Sequence, residues 1–171
     1  MNRKTNKMTL YAFGAVLMTV CAWITLPFVI PFTMQTFALY FLLYYLGARG
    51  ALVSVVLYIC LGLVGLPVFS GFTHGVQLAG PTGGFVFGFL LAILVYWLLE
   101  SLIPEFKLKR YLCSVLSLIC CYVLGAVWVC AWAQEGFLAI VAAYILPYVI
   151  PDLLKIYLAD IISKRMKKIK A

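Results

Sequence analysis

From about residue 8 to residue 166 the sequence is a succession of apolar runs, with almost all of its charge squeezed into the gaps between them. A helix crossing the roughly 30 Å hydrocarbon core of a bilayer needs about 20 apolar residues. The 171 residues therefore allow at most about six or seven crossings. Hydrophobic residues make up 66% of the chain and charged residues 11%, against roughly 25% charged in a soluble domain. With a mean hydropathy of +1.12, too little polar surface remains to cover a globule in water. The expected fold is all-α, a polytopic membrane protein forming a single domain over 1–171. Disorder, a secreted disulfide scaffold and a large soluble enzyme domain are excluded.

The first run, about 8–28, starts too early and runs too long for a cleaved signal peptide. Pro27 and Pro31 are expected to close it, because proline lacks the amide and disfavours helix before it. The second run, about 36–48, ends at Arg49-Gly50 and the third, about 51–65, follows directly, which predicts a tight helical hairpin. A glycine-rich stretch, LPVFSGFTHGVQLAGPTGG at 66–84, separates these from runs at about 85–103 and 111–133. The last third allows two readings. One is a short helix at about 137–146, an irregular turn and a sixth span over 151–166, since proline suits a helix's first turn. The other is one long kinked helix over about 137–165. Both give six spans.

The formal net charge is +8, so the placement of the charge decides its meaning. Twelve of the 13 basic residues fall in four groups: Arg3, Lys4 and Lys7; Arg49; Lys107, Lys109 and Arg110; Lys164, Arg165, Lys167, Lys168 and Lys170. With the N-terminus inside, every group lands on the cytoplasmic side of a six-span chain, which is the positive-inside pattern. The topology is expected to be N-in, C-in, with anionic lipid as the counter-charge and no nucleic acid partner. The six cysteines lie inside apolar runs without metal-ligand spacing and read as small apolar side chains. His74, alone, is expected to face solvent. No cofactor, metal or catalytic set is expected.

Lys155, the thirteenth basic residue, breaks the pattern. Counted back from Lys164 it lies roughly 13 Å into the membrane, and Asp152 roughly 18 Å. A charge at such depth costs about 2.5–3.5 kcal/mol. A spacing of three puts both on one helical face. They form either an ion pair that stitches helices together or the heart of a ligand pocket, with Asp152 also able to cap the sixth span. The segment Gly80–Gly84 (GPTGG) is a second anomaly, with Thr82 as a possible N-cap. Its free amides can hold an anion at the helix start, or the segment is a flexible outer loop; the absence of a following GK[ST] excludes a P-loop.

The motifs PFTMQTF, LGARGALVSVVLYICLGLVGLPVFSG, GPTGGFVFGFLLA and PDLLK, in that order, resemble the BioY family of biotin-specific substrate-binding components of energy-coupling factor transporters. The resemblance runs from about 31 to 92 and returns at 147–159. It implies a six-helix protein of the bacterial cell membrane that captures biotin from outside and delivers it through a coupling membrane protein and two ATPase subunits. Where the family reads PFxPGDxxK, this chain has PYVIPDLLK, so Ile150 and Pro151 replace a Pro-Gly pair while Asp152 and Lys155 are kept. The docking motif AxxxA of the family's first span is represented only imperfectly, by Ala12, Gly14 and Ala15.

Set against biotin, Asp152 can accept from the ureido N–H groups through a charge-assisted bond of roughly 1.5–3 kcal/mol. Lys155 can donate to the ureido carbonyl or to the valeryl carboxylate. Gln35, Thr36 and Gln77 are candidate neutral partners, and the amides around Thr82, Gly83 and Gly84 candidates for the carboxylate. Phe69, Phe72 and Tyr148 are expected to cover the ring, and Gly71 is a further candidate for the binding site.

Overall fold

The structure, a computed structural model, describes residues 3–26, 32–134 and 136–170. Pro27 and Pro31, expected to end the first span, lie outside these residues, as does Glu135. The described chain is mostly helical, with six α-helices: α1 (Arg3–Trp23), α2 (Gln35–Leu63), α3 (Gly83–Leu102), α4 (Lys109–Ala133), α5 (Phe137–Tyr144) and α6 (Leu146–Lys170). Two short strands, β1 (Thr25–Leu26) and β2 (Phe32–Thr33), pair antiparallel in the register Thr25 with Thr33 and Leu26 with Phe32. This ladder corrects the expected course of the first span. Helix α1 ends at Trp23 rather than near residue 28, and the Met34 amide donates to the Cys21 carbonyl, satisfying one of the carbonyls a helix end leaves open.

Helix α2 contains the hairpin. Its two helical arms meet at Gly47, which sits at φ 78°, ψ 170°, a conformation that only glycine adopts cheaply. In a straight helix Gln35 and Tyr58 would stand about 35 Å apart. Instead Gln35 Nε2 donates to the Tyr58 hydroxyl at 2.6 Å, so the two arms lie side by side. The turn falls at Gly47, ahead of the expected Arg49-Gly50, because the positive φ rather than the charge marks where the chain can reverse. Gly65, at φ 102°, ends the second arm. Its amide donates to Gly62 and that of Leu66 to Leu61, the paired bonds of a Schellman cap.

The last third follows neither expectation fully. The break comes at Ile145, with a 47° bend between α5 and α6. Pro151 lies inside α6, so Asp152 is an interior residue of that helix and caps nothing. Pro147 occupies the first turn instead, where its missing amide costs nothing.

The bundle is apolar inside, as in a water-soluble protein, and apolar outside as well. The inner faces of α1, α2, α3, α4 and α6 share one core that includes Met18, Leu39, Tyr40, Tyr58, Ile93 and Ile156. The outside is studded with apolar side chains such as Phe13, Leu98, Ile119, Val127, Leu154 and Ile162. A surface this apolar belongs in lipid. Among the described residues, α2, α3 and α4 are long and apolar enough to cross a membrane, and the bent α5–α6 pair makes a fourth candidate.

On α1 the expected docking trio divides. Gly14 and Ala15 are buried, and a side chain at Gly14 would collide with Ser54 of α2. Gly14 therefore serves the α1–α2 contact and Ala15 the core, and of the three only Ala12 stands on the outer surface. Close approach inside the bundle accounts for them.

Candidate ligand-binding cavity

A cavity opens where α2, α3, α4 and α6 meet the β1–β2 ladder and the glycine-rich loop. Asp152 and Lys155 stand at its polar end, 4% and 5% exposed. Lys155 Nζ donates to Asp152 Oδ1 at 2.7 Å and to the Thr33 carbonyl at 2.7 Å. It also lies 3.8 Å from the centroid of the Phe32 ring, close enough for a cation–π attraction. The Tyr122 hydroxyl donates to Asp152 Oδ2 at 2.6 Å. The pair therefore survives burial because charge, hydrogen bonds and an aromatic face replace its lost hydration. A carboxylate oxygen accepts two hydrogen bonds, so each Asp152 oxygen keeps capacity beyond its one described donor.

The rest of the wall combines apolar and neutral polar side chains. Leu39, Phe85, Val86, Phe89, Leu118, Cys121, Tyr144 and Tyr148 line it with Phe69. Tyr148 stacks on Phe32 with ring centroids 6.0 Å apart. Thr33, Gln35, Thr36, Ser70, Gln77 and Thr82 supply neutral polar groups. Gln35 is fixed from both sides, by the Thr33 hydroxyl at 3.0 Å and by Tyr58, and Tyr58 meets Phe69 edge-on at 5.1 Å. Such a cavity fits a small guest with an apolar body and polar groups at separated points.

Of the residues singled out from sequence, Asp152, Lys155, Gln35, Thr36, Phe69, Gln77, Thr82 and Tyr148 line this one cavity. Four do not. Phe72 is 63% exposed, its ring 5.0 Å from that of Trp23. Gly71, at φ 68°, shapes the turn before it. Gly83 and Gly84 are buried because side chains there would strike the Leu78 carbonyl and Trp128. The Gly83 amide already donates to Gly80, so these glycines serve packing. Thr82 stands at the N-cap position without capping: its hydroxyl accepts from Gln77 Nε2 at 2.9 Å, and Gln77 accepts from Thr73. Trp128 Nε1 donates to the Gly80 carbonyl at 2.9 Å and pins the loop. His74 is exposed, as expected.

Sequence reasoning misses Tyr122, Cys121, Phe89 and the carbonyl of Thr33. No sequence signal separates Tyr122 from the other ten tyrosines; only its place opposite Asp152 does.

The family model of BioY matches residues 1–171. The chain belongs to the BioY family. It is 38% identical over 157 residues to a biotin transporter of Thermotoga maritima, covering 90% of this chain and 91% of that protein. It is 31% identical to a probable biotin transporter of Pyrococcus horikoshii, over 96% and 98% of the two chains. A biotin transporter of Lactococcus lactis is 30% identical over 94% and 89%. Among solved structures, the biotin S-component of an ECF-type ABC transporter superposes with a TM-score of 0.85, at 22% identity, over 98% of this chain and 95% of that one. The fold is thus that of an S-component.

Proposed function

We propose that the chain captures biotin in the cavity beside Asp152 and Lys155 and acts as the membrane substrate-binding component of an energy-coupling factor transporter. The observation that carries this reading is the ion pair itself, buried, with one described donor on each Asp152 oxygen, and facing an apolar wall. Biotin complements it: a ureido N–H can donate to a free lone pair of Asp152, the thioether ring can lie against Phe69, Phe85 and Phe89, and the remaining proton of Lys155 can meet the ureido carbonyl or the valeryl carboxylate. Gln77, Thr82 and Ser70, which also line the cavity, can meet further polar groups of the guest. The relatives named for biotin support the choice of guest.

Six crossings, N-in and C-in, fit the geometry. α1, the two arms of α2, α3, α4 and the α5–α6 pair make six segments. Arg49 lies 5.5 Å from the Trp97 ring, Tyr11 lies beside Gly50, and Arg110 bonds Asp160 near Lys164. The basic groups thus gather at the end of the bundle away from the cavity, as positive-inside placement requires with the cavity opening outward. The chain supplies no reaction of its own; a coupling membrane protein and two ATPase subunits would provide the energy, with anionic lipid around the basic end.

Calorimetry of the detergent-purified chain against a panel of vitamins tests this. Saturable binding of biotin and of no other vitamin is expected; equal heats for unrelated vitamins, or none for biotin, would overturn it.

A further inference from the structure

Helix α6 carries two buried carboxylates on one face, Asp152 at the cavity and Asp160 away from it. Asp152, Lys155, Ile156, Ala159, Asp160 and Ser163 are all buried, and their spacing of three and four traces a single helical stripe. Asp160, 1% exposed, accepts from Arg110 Nη1 at 2.7 Å, from Lys164 Nζ at 2.6 Å and from the Tyr111 hydroxyl. Arg110 and Tyr111 belong to the first turn of α4. Arg110 also lies 5.1 Å from the centroid of Tyr44 on the first arm of α2, whose hydroxyl meets Ser114.

This contact mirrors the one at the cavity, where Tyr122 of α4 reaches Asp152. Elsewhere α6 packs chiefly along α2 and touches α4 sparsely. Polar contacts therefore hold α6 against α4 at both ends, about 12 Å apart along the helix. The cavity end is the weaker in its backbone. Pro151 has no amide to give to the turn before it, and the chain bends by 47° just upstream, at Ile145. A helix resists twisting about its own axis, so a fixed point at Asp160 sets the direction of a side chain eight positions away. A slip of one residue rotates a side chain by about 100° and would aim Asp152 out of the cavity.

We infer that Asp160 is a positioning residue for the ligand site: held by Arg110 and Tyr111, it fixes the roll of α6 so that Asp152 and Lys155 face the cavity. For its ligand readout this rests on the biotin reading; for its structural readout it does not.

The test uses the full chain with Asp160→Asn, which removes the charge and keeps the shape. Without ligand, amide hydrogen exchange is expected to quicken at 152–156 while the first arm of α2 stays unchanged. Biotin affinity is expected to fall about tenfold, the scale of lost outer-sphere support. Combined with Tyr122→Phe, the loss should exceed the product of the two single effects, because each removes one end of the same restraint. A purely stabilising role would lower the unfolding temperature yet leave exchange at 152–156 and affinity intact; that outcome overturns the inference. Where Asp160→Asn fails to insert, Arg110→Gln, which leaves Asp160 with Tyr111 and Lys164, makes the same test. An unaltered chain that binds no biotin overturns the site reading instead, and the exchange result alone then decides the anchor.

Discussion

The two ends of α6 pose the same electrostatic problem and solve it differently. Asp152 and Asp160 are both sealed from water, at 4% and 1% exposure. Asp152 has one described donor on each oxygen, the buried Lys155 and the half-buried Tyr122, and faces a wall of phenylalanine and leucine. Asp160 takes three donors, one of them from Lys164, whose side chain is 63% exposed, and its surroundings include Glu100, Glu105 and Lys107. Two of the four acceptor positions of Asp152 are taken by described donors, beside an apolar surface; three of the four are taken at Asp160, among charged side chains. A buried carboxylate thus points to a guest only where capacity and apolar wall coincide, and otherwise serves the fold.

The sharpest way to break this contrast is at Asp152. Asp152→Asn leaves Lys155 with an uncompensated charge and removes an ionised acceptor, so biotin binding should weaken by about 100-fold or more, as read by calorimetry on protein at matched membrane level. Retained affinity would mean that the guest sits elsewhere. Tyr122→Phe removes one hydrogen bond to a charged group, and a loss of about tenfold is expected. An unchanged value would show that the tyrosine only fills space. Gly47→Ala is expected to lower stability by about 1–2 kcal/mol, through a side chain forced into positive φ, while leaving the affinity of the folded fraction as it was. Smallest of all should be Lys164→Gln. Its exposed side chain makes an ion pair of the kind worth under about 1 kcal/mol, and both unfolding temperature and biotin affinity should barely move. A large loss there would erase the distinction between the two ends.

Much of the site is legible in the sequence because its chemistry is anomalous in a membrane. Asp152 and Lys155 stand out from an apolar run, Gln35 and Thr36 are among the few polar residues near the start of α2, and Gln77 and Thr82 belong to the glycine-rich stretch that interrupts the apolar runs. Phe72, Gly83 and Gly84 are misread for the opposite reason. Nothing in a glycine or phenylalanine says whether it faces a guest or a neighbouring helix, and here Trp128 and Leu78 decide it. Asp160 is inconspicuous in the sequence because Lys164 and the basic tail follow so closely that it reads as part of a helix end.

Taken alone, the order of residues determined that this chain belongs in a bilayer, roughly where its apolar runs fall, and that one carboxylate and one ammonium must be sheltered inside. Those are matters of transfer free energy, and transfer free energy is set by composition along a segment. Only the tertiary structure decided that α2 reverses at Gly47, that α6 begins before Pro151, and that Tyr122 and the Thr33 carbonyl complete the shelter. These depend on which backbone angles and which partners 23 to 122 positions away are available at one point in space, information that no local run of sequence contains.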